Sequence, residues 1–237
     1  MRILHLFFII LFLPGKSHAD GLSIDHTRVI MSSALQSAEI VINNTSSYTW
    51  LVQSRVVNSF ESTEQLTSSA YFYILPPILK LSAGQSQTVR IIRRQPVNKN
   101  NEETLQYIVF KSIPVIDKSI SGLDKVKQQL SVSLSLIIKL FSRPENLNVP
   151  WDKSASLLFF LKKENGLEIS NAGPYFMTLS RVFVNGKEIV LDGEQRTINP
   201  FGKINIDKVM VTPGDEIKWT VVNDHGGETR MMVSYLS

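Results

Sequence analysis

The sequence predicts an all-β protein built from two sandwiches. Its apolar stretches are short, rich in Val, Ile, Phe and Tyr, and separated by clusters of Gly, Pro, Asn and Ser, which is typical of antiparallel strands joined by turns. No stretch shows the sustained period of a long amphipathic helix. Two prolines interrupt the strand pattern within residues 143–150. The pattern restarts beyond them, so we expect one sandwich on each side.

The predicted strands of the first half follow the alternation of apolar and polar residues, which places every second side chain on one face of a sheet. They cover residues 23–31, 38–43, 48–57, 71–75, 86–93, 105–111 and 130–141. Their spacing and the polar clusters between them are those of a sandwich of short strands.

The linker and the second half follow from proline and glycine positions. Pro144 and Pro150, with Asn and Glu between them, suit a linker better than a strand. Further strands are predicted at residues 157–162, 167–171, 176–184, 187–190, 203–209, 216–222 and 229–236. Asn185-Gly186 lies between two of them and predicts a type I′ hairpin turn. The predicted domains are therefore residues 20–145 and 146–237.

The first 19 residues are predicted to be a signal peptide that is removed. Arg2 gives a positive start, residues 3–13 are apolar apart from His5, and Ser17-His18-Ala19 provides a small-x-small cleavage site. The apolar run is too short to span a bilayer, which takes about 20 residues. We therefore expect an exported protein that is not inserted in the membrane.

Composition excludes several classes of function. Removal of Arg2 and Lys16, with no acid lost, lowers the net charge from +4 to +2, and no basic tail suggests nucleic-acid binding. The chain has no cysteine, and only His26 and His225 follow the signal peptide, so a Cys/His zinc site and a cysteine nucleophile are excluded. No nucleophile-elbow or phosphate-loop motif is present. We expect no enzymatic activity, no cofactor and no metal.

The most unusual segment is residues 130–141. Its even positions form an unbroken aliphatic row, and its odd positions begin with three serines. An ordinary half-buried strand would explain this alternation. Twelve residues is long for a strand, however, and a serine face packs a core poorly. A strand longer than its own sheet can pair with another chain.

The chain resembles a known family, the PapD-like periplasmic pilus chaperones. The resemblance rests on five short motifs that occur in order along the chain. They are Thr27-Arg28-Val29-Ile30, Leu75-Pro76-Pro77 followed by Leu81 and Gly84, Val89-Arg90-Ile91, Ile137 through Pro144, and Asn223-Asp224-His225-Gly226-Gly227. Each motif is short, and their combination is specific.

The resemblance implies two immunoglobulin-like β-sandwiches in an L-shaped arrangement and a chaperone that works by donor-strand complementation. In this family the last strand of the first domain fills the groove of an incomplete pilus subunit. By position, the side chains that would enter the groove are Leu130, Val132, Leu134 and Leu136.

The resemblance also implies roles for charged residues. Arg28 and Lys139 match two cations that hold the terminal carboxylate of the subunit. Glu103, Arg143 and Asp224 match a charged network between the domains. Without the resemblance, each of these residues would be an ordinary surface charge.

The expected partners are pilus or fimbrial subunits and an outer-membrane usher. The alternative from another class is a structural subunit or adhesin of the surface fibre. Which subunits and usher are served is open, as is whether the free protein self-associates to hide its donor strand. Residues 115–129 are longer than in short-loop members, and the cysteine pair of the long-loop class is missing, so the subclass is open too.

Overall fold

The computed structural model describes residues 21–59, 67–97, 101–115, 133–193 and 196–236. Nearly all regular structure in these ranges is β. The first half contains β1 (Leu22–Ile24), β2 (Arg28–Ser32), β3 (Ser37–Asn44), β4 (Trp50–Val57), β5 (Phe72–Leu75), β6 (Ile78–Leu81), β7 (Ser86–Arg93), β8 (Thr104–Pro114) and β9 (Leu134–Arg143).

These nine strands form two sheets. One has the order β1-β3-β7-β5 and the other β2-β9-β8-β4-β6. The apolar residues of the alternating strands face each other between the sheets, with Ile40, Val89 and Ile91 from the first sheet and Ile108 and Leu140 from the second fully buried. Burial of this apolar surface is what holds a sandwich together.

The second half begins with a short helix, α1 (Trp151–Ser154), and a 3-10 turn at Ala155–Leu157. Its strands are β10 (Leu158–Lys163), β11 (Gly166–Asn171), β12 (Met177–Val184), β13 (Lys187–Glu188), β14 (Thr197–Ile198), β15 (Lys203–Asp207), β16 (Glu216–Val221) and β17 (Met232–Tyr235). One sheet has the order β10-β11-β15, the other β13-β12-β16-β17, and β14 pairs with β12.

A separate core fills the second half. Trp219 is buried against Phe160, with 4.7 Å between ring centroids, and its indole N–H donates to the carbonyl of Ala155 at 3.3 Å. Leu167, Ile169 and Met177 complete the centre of this core. Two distinct apolar cores are the physical basis for two sandwiches.

The Asn185-Gly186 prediction is confirmed. Both residues have positive φ, 48° and 79°, and the strands on either side pair from Val184 to Lys187, as a type I′ turn requires.

Among the described residues, no helix is long and apolar enough to cross a membrane.

The strand predictions differ from the structure in three respects. Residues 23–31 do not form one strand, because β1 pairs with β3 in one sheet and β2 pairs with β9 in the other. The prediction missed β6 and β14, which are short. Arg143, assigned to the linker, is the last residue of β9.

The turn between β16 and β17 packs against the first half through Gly226. This glycine has φ +84°, and a Cβ there would collide with the Thr27 hydroxyl. We predict that Gly226→Ala destabilises the protein by more than Gly84→Ala. Gly84 has a similar φ of +71° but faces open space. Its substitution should therefore cost only the free energy of placing a side chain in the left-handed backbone conformation, about 1–2 kcal/mol.

Urea unfolding of the full chain measures both free energies. In the background of Thr27→Ala the excess cost of Gly226→Ala should disappear. If Gly226→Ala costs no more than Gly84→Ala, the contact with Thr27 does not constrain this turn.

Candidate functional site

Strand β9 is paired along one edge and only partly along the other. On one side β8 runs antiparallel to it from Thr104↔Ser142 to Ser112↔Leu134. On the other side β2 runs parallel to it, beginning at Arg28↔Lys139. In the described ranges, no strand pairs with this second edge between Leu134 and Ile138. That stretch therefore offers main-chain donors and acceptors to another strand.

The aliphatic row predicted on β9 lies along this open edge. Leu134 and Leu136 are half-buried and pack against the first core, whereas Ser135 on the opposite face is exposed. The other two predicted groove-filling residues, Leu130 and Val132, lie outside the described residues. The part of the row that the structure describes thus covers the rim of its own core.

Two cations lie where the open edge meets β2. Arg28 and Lys139 are direct cross-strand partners, so their side chains project from the same face. The Arg28 guanidinium lies 5.6 Å from the centroid of the Phe141 ring, and its Nη1 donates to the carbonyl of Val222 at 3.2 Å. Its Nε is buried and has no hydrogen-bond partner in the part of the chain that the structure describes.

The Lys139 ammonium donates to two hydroxyls of the second half, Thr178 Oγ1 at 3.2 Å and Thr197 Oγ1 at 2.5 Å. Burial, and then the charge of Arg28, lower the pKa of Lys139 to about 8. Burial also lowers the pKa of Arg28, although Asp224 and Glu103 oppose it. Two adjacent, poorly solvated cations would gain from binding an anion between them.

Arg143 connects the two halves through carboxylates from both. Its Nε donates to Glu103 at 2.6 Å, and its two terminal nitrogens donate to Asp224 at 2.6 and 2.8 Å. The second oxygen of Glu103 accepts the main-chain N–H of Phe176 at 3.0 Å. The three residues predicted as an interdomain network are thus in direct contact.

Burial within this cluster is uneven. The side chain of Glu103 is 1% exposed, whereas that of Asp224 is 29% exposed. Burial raises the pKa of Glu103 despite the opposing charge of Arg143, and the two carboxylates raise the pKa of Arg143 against its own desolvation. Arg143 is therefore the group that makes burial of the Glu103 charge tolerable.

This asymmetry predicts different costs for removing the two partners. Arg143→Ala leaves the Glu103 carboxylate buried and unpaired, and we expect a loss of about 3–5 kcal/mol in unfolding free energy. Asp224→Ala leaves the contact between Arg143 and Glu103 intact, and its expected cost is lower, roughly 1.5–3 kcal/mol. Urea unfolding of the full chain gives both values. Equal costs would show that Glu103 does not depend on Arg143.

The groups that the second half contributes to this region were not predicted from the sequence. They are the hydroxyls of Thr178 and Thr197, the carbonyl of Val222 and the main-chain N–H of Phe176. Each is a common residue or a backbone atom, and it approaches Arg28, Lys139 or Glu103 only because the two halves are docked. No local sequence pattern marks them.

Comparison with known proteins identifies the family. Residues 21–148 match the model of the pili and flagellar-assembly chaperone, PapD N-terminal domain. Residues 152–232 match the model of the pili assembly chaperone PapD, C-terminal domain. The chain belongs to the PapD-like family of pilus-assembly chaperones.

Individual relatives agree with this assignment. The chaperone protein AggD of Escherichia coli is 31% identical over 215 residues, covering 87% of this chain and 82% of AggD. The chaperone protein FimC of Escherichia coli K12 is 27% identical over 237 residues, covering 98% of this chain and 90% of FimC. Both proteins are similar to this chain over nearly its whole length.

Solved structures agree as well. The Salmonella enterica SafB chaperone, in complex with the SafA pilin, superposes with a TM-score of 0.76 at 28% identity, covering 93% of this chain and 98% of that one. The E. coli chaperone DraB gives a TM-score of 0.73 at 28% identity with the same coverage. The predicted class, all-β with two immunoglobulin-like domains, is confirmed, as is the chaperone role. These matches do not favour the alternative of a fibre subunit or adhesin.

Proposed function

We propose that this chaperone captures pilus subunits in the periplasm by adding the open edge of β9 to their incomplete sheet, and that it then delivers them to an outer-membrane usher. One observation carries the proposal. The unpaired edge of residues 134–138 ends at a partly buried pair of cations, Arg28 and Lys139. The edge supplies main-chain hydrogen-bonding groups, and the two cations supply a binding site for a terminal carboxylate.

The chemistry of the two cations suits a carboxylate. A carboxylate has two acceptor oxygens, a guanidinium presents its donors as a planar fork, and an ammonium adds a point charge. The Nε of Arg28 has no hydrogen-bond partner among the described residues, so the donors of the guanidinium are not all engaged by the protein. A fixed carboxylate would also set the register of the paired strands, because a slip by one residue turns every side chain to the other face.

The position of the anchor determines the direction of the client strand. A client whose C-terminus lies at Lys139 and whose chain extends towards Leu134 runs in the same direction as β9. It would pair in parallel, as β2 does from Lys139 onwards. The client strand and β2 would therefore lie end to end along one edge of β9.

The aliphatic row supplies the apolar part of the interaction. Leu134 and Leu136, joined by Leu130 and Val132, would enter the groove of the client. Complete burial of a side chain of this size contributes roughly 1.5–3 kcal/mol. The half-buried leucines contribute less than this, because part of their surface is already removed from water. The main-chain hydrogen bonds and the carboxylate anchor would supply the remainder.

Family membership and the predicted signal peptide support the location and partners. A relative at 28% identity was solved together with a pilin, which favours a pilus subunit as the client of this chain. Charged residues Glu103, Arg143 and Asp224 would hold the two domains at the angle that the anchor needs. We propose no catalytic step.

Fractionation and partner identification test the function. The full chain, tagged at its C-terminus and expressed in its own host, should remain in the periplasmic fraction and co-purify with a subunit that mass spectrometry identifies as a fibre component. Recovery of the chain itself within surface fibres, or periplasmic protein without any fibre subunit, would overturn the proposal.

A further inference from the structure

The two anchor cations belong to the N-terminal domain, but their side-chain hydrogen bonds reach the C-terminal domain. Arg28 donates to the carbonyl of Val222. Lys139 donates to Thr178 on β12 and Thr197 on β14, which lie 39 and 58 residues further along the chain. The orientation of both cations therefore depends on how the two domains are docked.

We propose that Thr178 and Thr197 are positioning residues of the carboxylate anchor, which aim the Lys139 ammonium beside Arg28 and keep it charged. The anchor is then complete only while the two domains are docked. This inference rests on the proposed capture of a carboxylate and assigns a role in it to residues of the second domain.

Hydroxyls suit this task better than carboxylates would. A carboxylate partner would neutralise Lys139 and compete with the carboxylate of the client. A hydroxyl oxygen accepts a hydrogen bond from the ammonium and retains its own proton. That proton can be donated to an incoming carboxylate oxygen. The two threonines thus hold the cation without neutralising it.

The surroundings of Lys139 make its charge sensitive to these hydroxyls. Arg28 faces it from β2, Tyr107 is its cross-strand partner on β8, and β12 and β14 contribute the uncharged threonines. The acids Glu103 and Asp224 are engaged by Arg143. With a pKa of about 8, Lys139 is charged at neutral pH and becomes neutral in mildly alkaline solution.

Removal of the hydroxyls should lower this pKa further. The partly buried ammonium would lose its hydrogen-bond acceptors, whereas the neutral amine would lose little. A carboxylate ligand favours charged Lys139, so its affinity should fall as pH rises through the pKa of the free protein. The fall should begin at lower pH in variants that lack the hydroxyls.

Titration of the full chain tests the inference directly. The side-chain carbon signal of Lys139 in protein labelled with ¹³C-lysine reports its protonation. The isosteric changes Thr178→Val and Thr197→Val should lower the midpoint by about one pH unit each, as expected for loss of a hydrogen bond to a charged group. Thr178→Ser and Thr197→Ser, which retain the hydroxyl, should restore it. An unchanged midpoint in both valine variants would overturn the inference.

A binding measurement links the titration to the anchor. The probe is a synthetic nonapeptide of alternating Val and Thr with a free C-terminal carboxylate, compared with its C-terminal amide. We expect each valine variant to bind the carboxylate form about fivefold more weakly at pH 8, because the charged fraction of Lys139 falls from about one half to about one tenth when its pKa falls by one unit. At pH 6 the loss should be small, because Lys139 is then almost fully charged in both proteins. Weakening that is equal at both pH values, or equal for the amide, would show a merely structural role.

The outcome for Arg28→Ala separates this inference from the proposed function. If Arg28→Ala abolishes preference for the free carboxylate while the valine variants bind like wild type, the threonine assignment fails and the anchor stands. If wild type shows no preference for carboxylate over amide, the anchor itself fails.

Discussion

Arg28→Ala and Lys139→Ala should each reduce recovery of the client subunit to background while both domains remain folded. Each change removes one of two poorly solvated cations that would hold the client carboxylate. Truncation of one partner in a buried, hydrogen-bonded charge pair costs about 2–5 kcal/mol. That corresponds to about 30-fold to several thousand-fold in affinity. Co-purification from periplasmic extracts, quantified against chaperone yield, measures the loss.

A matched control distinguishes the anchor from any loss of positive charge. Arg90 is also a strand arginine, but it forms an exposed pair with Glu39, with both side chains more than half exposed. Arg90→Ala should change subunit capture little, because exposed ion pairs contribute about 0–1 kcal/mol. Circular dichroism melting confirms folding of all three variants. Capture at wild-type yield by both Arg28→Ala and Lys139→Ala would remove the carboxylate anchor from the mechanism.

The sequence was sufficient for the fold class because strand alternation is a local signal. Each sandwich buries one face of its strands, so the apolar period is visible without knowledge of the partner strand. The same logic located the Asn185-Gly186 turn, whose two positive φ angles favour those residue types.

The missed break between β1 and β2 also had a local signal. Leu22 and Ile24 face the core at even positions, whereas Val29 and Met31 do so at odd positions. This change of phase marks the point where the chain crosses from one sheet to the other. A single strand over residues 23–31 would have placed either Ile24 or both Val29 and Met31 on the solvent face.

Some residues of the candidate site could be predicted from the sequence and others could not. Arg28, Lys139 and the row on β9 could be assigned from the sequence through their resemblance to family motifs. The contacts of Lys139 with Thr178 and Thr197 could not, because they depend on the docking of two domains and not on local periodicity. The network of Glu103, Arg143 and Asp224 was assigned through the same resemblance, and Arg143 contacts both carboxylates.

The most specific test of the mechanism uses the parity of β9. Leu134 lies on the aliphatic face and Ser135 on the exposed face of the same open edge. Leu134→Glu would bring an unpaired charge into an apolar groove at a cost of several kcal/mol, and client recovery should collapse. Ser135→Glu points away from the groove and lies opposite Lys111 on β8, where opposite charges are tolerated or mildly stabilising. Client recovery with this variant should remain near wild type.

Both glutamates are introduced one residue apart in the same strand, so general damage to β9 would affect them alike. Leu134 also packs against its own core, and melting of each free variant measures any loss of stability that is independent of the client. Client capture measured at a temperature well below both melting points then reports only which face of β9 carries the glutamate. Because side chains alternate across a strand with a period of two, a groove that accepts the aliphatic row must reject the first charge and tolerate the second. Equal recovery from the two folded variants, or the reverse order, would mean that β9 does not donate this row to a subunit.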